Sequence, residues 1–291
     1  MTKLDTFTQH RTYLFSIAYH MLGSVQEAED VLQEAWLRWE KVDTETVRSP
    51  RAFLSTIVTR LSIDARRKGQ RMRDQYEGQW LPEPWAPRRE EADYAAQLAE
   101  SLSAAFMVVL EALTPAERAA YLLRQIFEQD YADIAEALDK NEANCRQLVK
   151  RATDRIQNKT RRFDPNPQEH ERLLLEFTAA IATADLNRFT DILVEDAVLY
   201  TDHGGKVQAN KRAILGASKI GRFVVGLSTR FQPENFRSEI HTLNGLPALV
   251  SYEGSAVSSA ITLHVEDGKI RYIYAIRNPE KLVHLKADSD W

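Results

Sequence analysis

DYADIAEALDKNEANCRQLVKRATDRIQ, residues 130–157, is the stretch on which the reading of the chain's first half turns. Tyr131, Ile134, Ala135 and Leu138 recur at the spacing of one helix face. DKNEA supplies a turn. A second helix over about 142–157 gathers Cys145, Leu148, Val149, Ala152 and Ile156 on one side. Arg146, Gln147, Lys150 and Arg151 then fall on or beside the exposed side. Two short helices, the second studded with long donors, fit a helix-turn-helix that lays its second helix in the major groove of DNA. Any helical hairpin with a basic second helix gives the same pattern, so both readings stand on this stretch alone. Cys145, the only cysteine, shares the apolar face and reads as a small core residue rather than a sensor thiol.

Working outward, 291 residues suggest two domains, and 44% hydrophobic with 27% charged residues fits a soluble globular protein. The longest apolar runs, such as AFMVVL at 105–110, are too short to span a bilayer. MTKLDTFTQHR has no apolar signal-peptide core, so cytoplasmic residence without membrane contact is expected. One cysteine forms no internal disulfide and no Cys-rich zinc site, and neither metal nor cofactor is expected. The net charge of −4 says little, but RRKGQRMR (66–73) and RQLVKRATDRIQNKTRR (146–162) are locally basic, as nucleic-acid contacts or solvated helix faces both require.

Residues 1–163 read as successive helices. Gly23 ends the first, Ser24 caps the second with Glu27 three residues on, and Ser49-Pro50 opens a third. QYEGQWLPEPWAPRRE (75–90) breaks the series as a linker, although Trp80 and Trp85 imply that it docks on something. Pro165 and Pro167 mark a second linker. Beyond it, two helices precede the alternating segments DAVLYTD, PALVSYEG and SAITLHVEDGKIRYIYAIRNP, with Asp267-Gly268 as a hairpin turn. Helices followed by antiparallel strands give an α+β domain. His264 sits at an alternating position open to solvent.

At this point a resemblance becomes specific. LTPAERAAYLLRQIFEQ followed by the helix-turn-helix looks like region 4 of extracytoplasmic-function (ECF) sigma factors. FTQHRTYLFSIAYHMLGSVQEAEDVLQEAWLRWEKV with SPRAFLSTIVTRLSIDARRKGQR is similar to region 2, and the order is the family's. The resemblance implies region 2 over 1–74, a linker over 75–95, region 4 over 96–163 and a further domain over 164–291. It implies that Asp30, Gln33, Glu34 and Trp36 dock on the β′ clamp helices of core RNA polymerase. Their acidic and amide face suits arginines on a partner helix. The resemblance assigns the promoter −10 element to Arg51, Thr56, Thr59, Arg60, Arg66, Arg67 and Lys68, with the loop 41–50. It assigns the −35 element to Asn144, Arg146, Gln147, Lys150 and Arg151.

Residues 168–291 look like a SnoaL-like cone, and ECF factors with such an extension form a subgroup. WLPEP (80–84), DHGGKV (202–207) and NPEKL (278–282) resemble its motifs, with His203 and Glu280 as departures. The resemblance makes Trp80, Leu81, Pro82, Asp202, Gly204, Gly205, Lys206, Asn278, Pro279, Glu280, Lys281 and Leu282 interdomain regulatory residues. The whole reads as a multidomain chain, an all-α half carrying regions 2 and 4 plus an α+β SnoaL-like cone. It would bind polymerase and promoter DNA and perform no chemistry, its activity tuned by the fused domain. A small-molecule ligand in a C-terminal pocket stays open. So do a ligand-sensing DNA-binding regulator and a SnoaL-like enzyme using Asp202 with His203, or His264, as an acid–base pair.

Overall fold

In the computed structural model, residues 2–157, 166–230 and 235–285 are described. The helices in chain order are α1 (Lys3–Leu22), α2 (Val25–Glu40), α3 (Pro50–Asp74), α4 (Ala92–Gln97), α5 (Ala99–Leu102), α6 (Ala104–Leu110), α7 (Pro115–Tyr121), α8 (Tyr131–Leu138), α9 (Glu142–Gln157), α10 (Pro167–Ala182), α11 (Leu186–Asp191) and α12 (Ala217–Arg230). The strands are β1 (Leu193–Asp202), β2 (Ile214–Leu215), β3 (Phe236–Leu243), β4 (Leu246–Glu253), β5 (Ala256–Glu266) and β6 (Lys269–Ile276). The chain divides into two compact units, Met1–Asp74 with Met107–Arg161, and Gln75–Phe106 with Arg162–Trp291.

The first unit is helical. Its boundaries follow from the sequence signals. Gly23 adopts φ 69° and ends α1, and the Ser24 hydroxyl accepts from the Glu27 amide to start α2. Thr114 and Glu117 form a reciprocal capping box with Pro115 in the first turn of α7. A π-helical turn, Leu122–Ile126, prolongs α7. α3 packs against α1, α2, α7 and α8. Leu14, Ile17, Ala28, Leu54, Val58 and Ala119 are essentially solvent-free, and each buried Leu or Ile contributes about 1.5–3 kcal/mol. Cys145, Leu148, Val149, Ala152 and Ile156 form the inner face of α9. Burial pushes the Cys145 thiol pKa up, which suits a core residue.

The second unit is a six-stranded sheet of order β2-β1-β6-β5-β4-β3. The sheet is mixed rather than purely antiparallel, because β1 runs parallel to β6. Register shifts in the β1–β6, β4–β5 and β5–β6 pairs bend it. Leu173, Leu174 and Phe177 of α10, Phe189 of α11 and Ile220 of α12 pack with Leu199, Leu263 and Ile273 into an apolar core. Tyr200, Tyr272 and Tyr274 cluster on the other face. His264 is buried there against Tyr272, not exposed as its alternation suggested. Burial, then His170 and Arg271, push its pKa down to about 4. Asp267 and Gly268 both take positive φ, the turn expected between β5 and β6.

Residues 75–95, expected as a linker that docks through its tryptophans, group with the sheet-containing unit, and so do residues 96–106. The proposed boundary at 163/164, with Pro165, lies outside the described residues, and Pro167 is the first residue of α10.

Candidate functional site

Four parts of the fold carry the candidate residues. On α9, Asn144, Arg146, Gln147, Lys150 and Arg151 are all exposed, opposite the buried Cys145 face. Arg146 donates to Glu142 at 2.7 Å, and its guanidinium lies 4.6 Å from the centre of the Tyr131 ring. Arg151 lies 3.8 Å from Glu117, which also holds Arg155 at 2.6 Å. The turn between α8 and α9 is set by Asp139 at φ 52° and by the Asn141 side chain, which accepts from the Asn144 amide.

On α2, Asp30 and Gln33 are exposed, and half-buried Glu34 holds Arg38 at 2.8 Å across one turn. Exposed Leu37 adds an apolar centre to this face. Trp36 turns inward instead and meets Phe7 edge-on at 5.3 Å.

The α3 candidates separate. Arg51, Arg67 and Lys68 are exposed and Thr56 is half-buried. Arg51 stacks 4.1 Å from the Tyr13 ring centre. Thr59 and Arg66 are not surface residues, because α3 is enclosed by α1, α7 and α8 where they lie. Arg66 instead donates to the Met21 carbonyl and to Glu111. Arg60 is exposed but donates to the carbonyls of Glu136 and Ala137 at the end of α8, at 2.5 and 3.1 Å. The α3 helix is thus tied to the helix-turn-helix by an arginine expected on DNA.

Around Glu111 lies a charge cluster that no local sequence pattern announced. Arg118, Arg66 and Arg73 donate to the carbonyls of His20, Met21 and Leu22, the open C-terminal end of α1. All three also meet Glu111, the shortest contact being 2.6 Å from Arg118. Burial alone would raise the Glu111 pKa, but Arg118, Arg66 and Arg73 outweigh it and bring it down to about 2. Complete burial, then Arg66, push Arg118 down to about 9, because one carboxylate cannot offset three guanidiniums. Arg118 still carries its charge at neutral pH.

The fourth group of candidates lies within the sheet-containing unit, where the segment 75–106 meets the domain. Asp202, at the end of β1, is solvent-free. Its carboxylate accepts from the Tyr76 hydroxyl at 2.5 Å, the Leu81 amide at 2.8 Å and the Lys281 ammonium at 2.7 Å. Lys281 also donates to the Leu81 carbonyl and lies 4.3 Å from the centre of the Trp80 ring. Asn278 donates to the Tyr76 hydroxyl at 2.8 Å. Burial, then the Asp202 carboxylate, raise the Tyr76 pKa well beyond the usual phenol range. Leu81, Pro82 and Leu282 are buried around this pair, while Pro279 is exposed. Exposed Lys206 and Glu280 pair at 2.8 Å, so the Glu280 departure keeps an acid in place.

Gly204 and Gly205 take φ 55° and 69°, and a Cβ on either would lie 2.5–2.6 Å from Asn278 or Glu77. His203 is buried, and its Nδ1 accepts from the Gly205 amide. Asp202, spent on Lys281 and the connector, is not poised as the base of an acid–base pair with His203. Among the described residues no three metal-ligating side chains converge.

Sequence reasoning missed further anchors. Asn244 exchanges hydrogen bonds with the Trp85 backbone at 2.7 and 3.0 Å and donates to the Leu102 carbonyl at 3.0 Å. His284 meets the Pro84 carbonyl at 2.6 Å. The Asn244-Gly245 dipeptide was a legible turn signal; Tyr76 and His284 had none.

A helix-turn-helix with an exposed basic row, in a helical unit that also carries an acidic-faced helix, defines a class of DNA-engaging transcription factor. Residues 6–72 match the family model Sigma-70 region 2, and residues 103–156 match Sigma-70, region 4. The ECF RNA polymerase sigma factor SigJ of Mycobacterium tuberculosis is 36% identical, over 96% of this chain and 93% of its own length. The crystal structure of SigJ superposes with a TM-score of 0.78 at 32% identity, covering 96% of this chain and 98% of that one. The ferric citrate uptake sigma factor FecI of Escherichia coli is 30% identical over 53% of this chain and 88% of its own length. The chain belongs to the ECF RNA polymerase sigma factors, with a fused C-terminal α+β domain.

Proposed function

We propose that α2 docks this factor on core RNA polymerase through Asp30, Gln33 and Glu34, and that α9 recognises the −35 element through Asn144, Arg146, Gln147, Lys150 and Arg151. The observation that carries the reading is the exposed donor row on α9 opposite its buried face. Arg51, Thr56, Arg67 and Lys68 engage the −10 region, and Arg60 joins them once it leaves the end of α8. The factor works by binding in the cytoplasm, so lost contacts, not lost chemistry, limit initiation. The fused domain tunes this activity by holding the connector 75–106, whose two ends both lead into the helical unit.

Transcription in vitro with core polymerase and no other sigma factor tests the assignment. Asp30→Ala with Glu34→Ala is expected to cut polymerase capture roughly tenfold or more, as loss of charged interface contacts does, with the thermal unfolding curve unchanged. Capture equal to wild type would refute the α2 assignment.

A further inference from the structure

We propose that Tyr131 and Glu142 position Arg146 to read one guanine of the upstream promoter element, while Lys150 supplies sequence-independent attraction for phosphate. The inference rests on the assignment of α9 to that element.

Arg146 lies near the N-terminal end of α9, the part of such a helix that touches base edges. Its side chain is 55% exposed, yet it is held twice. The guanidinium lies 4.6 Å from the Tyr131 ring centre, and Nη2 donates to Glu142 Oε2 at 2.7 Å. Tyr131 opens α8, so one helix of the motif fixes a side chain of the other. Arg124, held by the Gln129 carbonyl, also lies over that ring, at 5.0 Å. A stacked, ion-paired arginine has fewer rotamers to lose on binding.

The remaining N–H groups on Nη1 and Nη2 still form a fork. Guanine alone offers the matching O6 and N7 acceptors in the major groove. The same restraints make Arg146 a poor phosphate binder, since Glu142 offsets its charge and little counterion release is left. Lys150, one turn on, is exposed and has no ion-pair partner among the described residues. Its compact, mobile charge suits a phosphate.

The test uses the polymerase holoenzyme on duplex templates randomised across both promoter elements, each with a transcribed barcode. Wild type is expected to select guanine at one upstream position, and Arg146→Ala to erase that preference. Tyr131→Leu should relax the same position alone, on the order of tenfold, whereas Tyr131→Phe keeps the ring and the preference. Glu142→Gln, a change at an exposed carboxylate, should steepen the salt dependence of DNA binding by about one counterion, and Lys150→Ala should flatten it by about as much. The proposal fails if Arg146→Ala spares every base preference. It fails equally if Tyr131→Leu weakens all positions alike, or if Glu142→Gln changes neither slope nor preference. Absence of any selective initiation by the wild type would instead remove the underlying assignment of α9.

Discussion

Glu111 shows how one residue can decide the helical unit. Three arginines satisfy the last carbonyls of α1, and Arg66 and Arg118 are almost completely buried. Without the carboxylate, three like charges would face one another in a low-dielectric site. Glu111→Gln is therefore expected to cost about 3–5 kcal/mol, read as a lowered urea midpoint at neutral pH. The pH dependence has a definite sign. The folded-state pKa lies below the free value of 4.5, so the stabilisation is complete above about pH 4.5 and is lost as pH falls toward about 2. The variant should lose this acid limb. Wild-type and variant stabilities that run parallel from pH 7 to pH 3 would count against the cluster's role.

At the scale of elements, legibility depended on how local the determinant was. Gly23, Ser24, Ser49-Pro50 and Thr114-Pro115 mark helix ends because a cap acts within four residues. The exposed row on α9 follows from its apolar face for the same reason. Thr59 and Arg66 were misread because their burial comes from helices distant in sequence. Strand β3 escaped notice, since a mostly exposed edge strand lacks a clean buried alternation. Its turn, Asn244-Gly245, carried the signal and also anchors Trp85 and Leu102. Gly245 has φ 75°, and a Cβ there would lie 2.6 Å from the Ala95 carbonyl. Gly245→Ala should thus destabilise the sheet unit by about 1–3 kcal/mol from backbone strain alone, with faster amide exchange at Trp85 and Asn244. Exchange unchanged at both amides would show that the turn does not hold the connector.

At the scale of the molecule, the chain enters the sheet unit at Gln75, returns to the helical unit at Met107 and leaves again near Arg161. The connector 75–106 therefore joins two parts of one unit while packing as part of the other, and Asp202 with Lys281 is its innermost fastening. Because both charges are buried, the fastening responds to single changes more than to a paired one. Lys281→Met strands the Asp202 carboxylate, and Asp202→Leu, which leaves no side-chain acceptor, strands the ammonium, each at about 3–5 kcal/mol. The double variant removes both charges and should cost less than the sum of the singles. If the connector governs activity, the double variant separates the two effects: the sheet unit stays folded while the Leu81 amide, which donates to Asp202, loses protection from exchange. Transcription measured on the same protein should then shift from the wild-type level. A shift in exchange at Leu81 with unchanged transcription would leave the connector docked for stability alone; unchanged exchange would mean that Asp202 and Lys281 do not fasten it.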